Sequence, residues 1–286
     1  MIHFLIIFAI ISTSICSQEH ITLRSKSHGM FSMFHFVLLF LQQYEKKQIS
    51  GFDVEFERTG IYYDEKLGLN WWEYYFEPIK LGDKNEADNL TLIDVDTQAD
   101  PWIIEFCNSV HENHRLLRKY IKIKDVINDK INKFYDENFK DYFIIGVHYR
   151  GTDKLLHEAS RVEHQKVISE INKITSNLSK RRKYKIFLAT DETQFIEFME
   201  ANFGDKICYC AIKRSSDGLP IHYDLTRNPY QLGEEALIDA LLLSRTNVLI
   251  RTSSNLSLCS RYFNPHLTVI ELSQRNMSTA CQDYFH

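Results

Sequence analysis

The clearest pattern lies in the second half of the chain, where short runs dense in β-branched and aromatic residues alternate with segments whose apolar residues recur at helical spacing. Phe143 to Tyr149, Lys185 to Thr190, Lys206 to Ala211, Asn247 to Ile250 and Leu267 to Leu272 read as strands. Arg161 to Leu178, Glu192 to Asn202 and Gly233 to Ser244 read as helices, the last with Leu237, Leu241 and Ser244 on one face. Such alternation predicts an α/β fold, with a parallel sheet covered by helices on both faces. The connection from Lys213 to Leu232 is long for a compact domain and marks a functional loop.

The first half is less regular. A brief strand, Ile21 to Leu23, a polar turn, Ser25 to Gly29, and a helix, Met30 to Lys47, begin a second α/β unit. The apolar window Met30 to Leu41 is interrupted by Ser32 and His35 and ended by Gln42 and Gln43, so its length fits a core helix and not a bilayer span. Trp71 to Pro78, WWEYYFEP, is unusually aromatic. Helices Ile103 to Tyr120 and Asp125 to Phe139 lead to the charged stretch Tyr135 to Asp141, where the domain boundary is expected. The organisation is then an N-terminal lobe, 18–140, a C-terminal lobe, 141–272, and a tail, 273–286.

Residues 1–17 read as a signal peptide, with an uncleaved anchor or a buried strand as the alternatives. The apolar run Phe4 to Ile15 suits its hydrophobic region, although no Lys or Arg precedes it, and small or polar residues follow at Cys16, Ser17 and Gln18. The implied location is the lumen of the secretory pathway or the exterior, or the periplasm in a bacterium. There the sequons at Asn89, Asn177, Asn255 and Asn276 are candidate glycan acceptors in a eukaryotic host, of which Asn255, just past a strand end where a ligand is expected, should stay unmodified.

Composition narrows the picture. The 286 residues are 44% hydrophobic and 25% charged, with 10 glycines and 5 prolines, which is globular and large enough for a self-sufficient core. A net charge of -4, from 34 basic and 38 acidic residues, offers no footprint for a polyanion, so nucleic acid is not an expected partner. Loss of Cys16 would leave Cys107, Cys208, Cys210, Cys259 and Cys281, an odd set that cannot all pair. Cys208 and Cys210 lack a second Cys or His pair at zinc spacing and read as buried thiols, while a bridge from Cys259 to Cys281 would tie down the tail.

Ligands of open parallel sheets sit beyond the carboxyl ends of the strands. Three polar clusters fall there: His148 to Lys154, Thr190 to Glu192, and Arg251 to Asn255. Arg150, Lys154 and Arg251 would supply cationic donors, and the hydroxyls and backbone N–H groups of Thr252 to Asn255 lead into a helix whose amino terminus favours an anion. Together they describe a phosphate site for a nucleotide-type ligand.

These clusters carry a resemblance. IGVHYRGTDK, Ile145 to Lys154, resembles the first motif of the α1,6-fucosyltransferases and rhizobial nodulation fucosyltransferases, a His-x-Arg-Arg-Thr-Asp-Lys segment after a strand. FLATDE, Phe187 to Glu192, and GEEALIDALLLSRTNVLIRTSSNLS, Gly233 to Ser257, resemble their second and third motifs in the same order. The resemblance implies a GT-B-like fold of two Rossmann-type lobes facing a cleft, with GDP-fucose on the C-terminal lobe and a glycan or glycoprotein acceptor on the other. It implies Arg150 at the donor diphosphate, His148 and Asp239 at the guanine and Ser253 with its neighbouring hydroxyls at the phosphates. Asp153, Lys154 and Asp191 match further motif positions. Gly151 stands where the family has a second arginine, so part of that cationic stabilisation is expected to be lost or to be supplied elsewhere, with Arg251 the candidate.

Cleaving a sugar from a nucleoside diphosphate builds negative charge on the departing phosphate, so fixed donors must meet it there. With Arg150 in that role no divalent cation is required, and no cofactor is expected beyond the donor itself. The rival signal is Asp94-x-Asp96, the ligand pair of a metal-dependent GT-A enzyme, which reads better as an exposed turn. Inversion at the sugar needs a base near the acceptor hydroxyl or a nearly dissociative path. Glu73 and Glu77 are the candidates, set among rings that would pack on sugar faces; His35 and His222 read as structural or exposed. The alternatives are a transferase for another GDP-sugar and a catalytically silent nucleotide-sugar or glycan-binding protein on the same scaffold.

Overall fold

A computed structural model describes residues 18–24, 29–56, 60–94, 109–150, 162–210 and 228–273. The chain divides into two compact units, Met1–Asp125 with Asn228–Glu234, and Val126–Arg227 with Glu235–His286. The leader reading on 1–17 and the tail, 274–286, lie outside the described residues.

In the first unit β1 (Glu19–Arg24) lies between β2 (Gly51–Val54) and β4 (Asn89–Asp94), parallel to both, and β3 (Lys80–Leu81) adds an antiparallel edge. Between β1 and β2 runs α1 (Met30–Glu45), whose residues are buried around most of its circumference, His35 among them. This is the core helix its length predicts, and no helix among the described residues is long and apolar enough to cross a membrane. Phe34 of α1 meets Trp72 and Phe76, where the aromatic run forms the four-residue helix α2 (Trp72–Tyr75).

The end of α1 is held by charge. Glu45 bonds the Arg115 guanidinium, Lys119 Nζ at 2.7 Å and the Tyr120 hydroxyl at 3.0 Å, all on α3 (Val110–Tyr120). The Arg115 hydrogen bond, opposed by burial, holds the Glu45 carboxyl down at about 2. A carboxylate with a lowered folded value contributes stability above the ordinary range that is lost as pH falls through the folded one. Glu45→Gln is therefore expected to cost about 1 kcal/mol at neutral pH, given the partly exposed partners. The gap to wild type should close between roughly pH 4.5 and 2 in acid-titrated urea unfolding; a gap independent of pH would contradict this origin.

The second unit is built on a five-stranded, wholly parallel sheet in the order β7-β6-β5-β8-β9. Its strands are β5 (Phe143–Tyr149), β6 (Tyr184–Thr190), β7 (Ile207–Cys208), β8 (Val248–Arg251) and β9 (Thr268–Glu271). The helices are α4 (Asp125–Asn138), α5 (His164–Ser176), α6 (Thr193–Phe203), α7 (Pro229–Ser244) and α8 (Asn255–Phe263). Ile145, Val147, Ile186, Leu188 and Ile250 of the sheet belong to a buried cluster with Val167, Ile171, Phe195 and Met199 of α5 and α6. Gly146 admits the turn before β8 against β5, because a Cβ there would stand 2.8 Å from the Thr246 methyl.

Three expectations need correction. The boundary expected at 140 falls before α4, since Phe134 and Phe139 at that helix's end pack edge-on against Phe187 of β6. Of the strand expected over Lys206 to Ala211, the described residues form the two-residue β7, paired as Ile186↔Ile207 and Phe187↔Cys208, and Ala211 lies outside them. Asp94 is the last residue of β4, opposite Arg24, and not part of a turn; Asp96 lies outside the described residues.

Cys208 is a buried thiol, as its strand position predicts, with Sγ 3.6 Å from the Ile186 carbonyl. Burial pushes this thiol up to about 12. With so little thiolate at pH 8, Cys208 should resist iodoacetamide in the native protein and react only after unfolding, as read by mass spectrometry. Alkylation of the native protein within minutes would contradict this.

Candidate active site

The second sheet builds outward from β5 to β6 and β7 on one side and resumes with β8 and β9 on the other, so its order reverses between β5 and β8. The carboxyl ends of the strands at such a reversal are where open parallel sheets hold ligands. His148 and Arg251 are register partners across this junction, and Tyr149 is opposite Thr190 on the other flank of β5. All three polar clusters thus start from one sheet edge.

The edge is stitched by its own polar groups. Thr252 N–H donates to the His148 carbonyl at 3.0 Å, and Arg150 N–H donates to Thr252 Oγ1 at 2.9 Å. Arg150 Nε lies 3.1 Å from Asp191 Oδ2, with the arginine side chain 25% and the aspartate 9% exposed. The motif residues after β5 and after β6 are therefore in direct contact, and the aspartate sets the plane of the guanidinium. Beneath them Tyr149 stacks on Phe195 at 4.2 Å and its hydroxyl donates to the Val162 carbonyl at 2.8 Å, a rigid support for the end of β5. His148 and Asp239, the latter on α7, are both buried.

Arg251 does not stand where the sequence reading put it. Its side chain turns inward, 1% exposed as a residue, and bonds Ser257 Oγ, the Ser254 carbonyl and Glu271 Oε1 at 2.9, 3.1 and 3.0 Å. A cation held in this way is engaged by acceptors of the protein itself. The hydroxyl run is also partly spent on the protein: Thr252 Oγ1 accepts from Arg150, and Ser254 Oγ caps α8 by accepting from Leu256 N–H at 3.3 Å. Two backbone amides expected to face the anion are committed as well, Thr252 N–H to His148 and Ser253 N–H to Ser273 Oγ at 2.9 Å. Short hydroxyl side chains bond neighbouring backbone before they reach a ligand, which no motif spacing reveals.

Ser257, Glu271 and Ser273 complete this arrangement and were not singled out from the sequence. The signal for Ser257 was its place on the buried face of α8, beside Leu258 and Cys259. Asp153, Lys154, Gly151 and His222 lie outside the described residues, as does Cys281 of the expected bridge. Glu73 and Glu77 belong to the first unit: Glu73 accepts from Asn70 Nδ2 at 3.0 Å, and Glu77 is exposed. The neighbouring rings of Trp71, Trp72, Tyr75 and Phe76 are buried in that unit's core, so they offer no open face to a sugar. Among the described residues no three or more His, Cys, Asp or Glu side chains are grouped to hold a metal ion.

A doubly wound parallel sheet and a second α/β unit whose sheet is parallel but for one edge strand make up the GT-B fold class, and solved structures share it. Crystal structures of NodZ α-1,6-fucosyltransferase soaked with GDP-fucose and co-crystallised with GDP superpose with TM-scores of 0.56 and 0.57 at 19% and 18% identity. They cover 90% and 91% of this chain and 99% of theirs. A variant of Arabidopsis thaliana FUT1 in complex with GDP gives 0.54 at 10% identity over 97% of this chain and 78% of that one. The chain belongs to the Nodulation protein Z (NodZ) family, whose model matches residues 77–283. It is 24% identical over 202 residues to nodulation protein Z of Bradyrhizobium diazoefficiens, an alignment that covers 67% of this chain and 54% of that protein, about half its length.

Proposed function

We propose that this protein is a fucosyltransferase that transfers L-fucose from GDP-fucose to a glycan or glycoprotein, with inversion at the anomeric carbon and without a divalent metal. The observation that carries the reading is the Arg150–Asp191 contact at the reversal point of the second sheet, 3.1 Å long and braced by Thr252. Solved relatives of the same fold are described with GDP-fucose and with GDP, which supports a guanine nucleotide as the donor's carrier.

In this mechanism Arg150 meets the diphosphate and neutralises the charge that grows there as the C1–O bond breaks, a role for a preorganised donor fork. Asp191 positions that fork through Nε. His148 and Asp239 read the guanine, Ser253 and adjoining hydroxyls the phosphates, and Asp153 and Lys154 complete the first motif. The acceptor hydroxyl loses its proton late, to Glu73 or Glu77 or to solvent, because an oxocarbenium-like centre asks little of its nucleophile. The leader reading places the enzyme in the secretory lumen or outside the cell.

The test is a panel of GDP-fucose, GDP-mannose and UDP-sugars, with product release and binding measured with and without EDTA. Transfer from GDP-fucose alone, unchanged by EDTA and by Asp94→Asn, is the expected result. A UDP-sugar preference, or activity that EDTA abolishes, would overturn the donor or the metal-free assignment respectively. Gly151 at a family arginine position motivates a second reading, a silent GDP-sugar-binding protein. GDP binding without turnover on an acceptor array would select it.

A further inference from the structure

We infer that Arg251 is a positioning residue: it fixes the Thr252–Ser254 turn, and through it Arg150, without touching the nucleotide. This rests on the nucleotide-sugar reading above and deepens it.

Arg251 closes β8, and its guanidinium reaches three acceptors on different pieces of chain. Nε donates to Ser257 Oγ on α8, Nη2 to the Ser254 carbonyl at the helix cap, and Nη1 to Glu271 on β9. Ser257 Oγ in turn lies 3.3 Å from both the Thr252 and Ser254 carbonyls, so its one hydrogen serves either. The turn is thereby gripped at each end. The strand end is also held from β9, because Leu272 N–H donates to the Arg251 carbonyl at 2.9 Å. Ser273 Oγ takes the Ser253 amide between them.

The grip passes on to the site. Thr252 leaves β8 directly after Arg251, and its Oγ1 accepts the Arg150 N–H at 2.9 Å. A turn displaced by a fraction of an ångström would drag the backbone of the residue that faces the diphosphate, and such misplacement is costly for a preorganised donor. A buried charge is a poor device for stability alone, since an apolar group of like volume often serves as well. A planar fork that satisfies three acceptors at once specifies a single geometry, which an ammonium cannot reproduce.

The experiment uses the full chain, with GDP as probe in calorimetry, unfolding midpoints recorded without ligand, and donor KM and kcat measured separately. Ser257→Ala keeps the cation and removes its Nε acceptor together with the hydroxyl's bond to the Thr252 or Ser254 carbonyl, a smaller change that serves if Arg251→Lys does not fold. We expect GDP to bind about tenfold more weakly in Ser257→Ala and at least as weakly in Arg251→Lys. A cation acting directly on phosphate predicts instead that Lys retains affinity and Ser257→Ala is silent. A purely structural role predicts lower midpoints with an unchanged Kd for GDP and unchanged KM. Either pattern overturns the inference while leaving the donor assignment standing. Wild-type protein that fails to bind GDP overturns the nucleotide-sugar reading itself.

Discussion

In the proposed transferase, Arg150→Ala is expected to lower fucose transfer by about 10²–10³-fold, the cost of removing one preorganised donor from a centre of developing charge. The loss should fall mainly on kcat, because the charge on the departing phosphate is larger in the transition state than in bound GDP-fucose. Arg150→Lys should recover only part of it, since a point charge replaces a planar fork. Asp191→Asn keeps the size of the side chain but weakens its hold on Nε, so an intermediate loss is expected. The unfolding midpoint must stay near wild type for these comparisons, which the 25% exposure of the Arg150 side chain makes reasonable to require. Turnover of the alanine variant at the wild-type rate would remove the phosphate clamp and with it the mechanism.

The parts legible in the sequence were those whose pattern has one physical cause. Parallel strands buried on both faces must be continuously apolar, and so Phe143 to Tyr149 was bounded correctly and the strand at Lys185 to Thr190 to within a residue. The first sheet lacks that signature. Its β2 is four residues long and carries Asp53, whose burial is compensated by Lys84 at 2.6 Å, a partner thirty-one positions away. On β4, Leu90 and Leu92 are more than half exposed, so its alternation points outward. In the site, the proximity of Arg150 and Asp191 followed from the order of strands alone. The inward turn of Arg251 did not, because alternation along a strand says which residues share a face and not whether a long cation there meets solvent or three acceptors of the protein itself. The first-motif residues Asp153 and Lys154 remain carried by resemblance.

Trp72→Ala is expected to cost about 3–5 kcal/mol, the largest stability loss of any substitution considered. Its indole is wholly buried, stacks on Phe76 at 4.2 Å, meets Phe34 at 6.0 Å and Phe56 edge-on at 5.9 Å, and donates Nε1–H to the Glu77 carbonyl at 3.3 Å. Truncation removes this packing, opens a cavity between α1 and the aromatic run, and leaves the Glu77 carbonyl without that donor. For units of this size the midpoint should fall by roughly 10 °C, seen in the transition of the first unit if the two melt separately. Had WWEYYFEP served as a platform for sugar rings, the same change would spare the midpoint and raise the acceptor KM. Glu77→Gln supplies the contrast: its side chain is exposed, so stability should hold, and a fall in kcat would then identify the carboxylate and not the rings as this segment's contribution to chemistry.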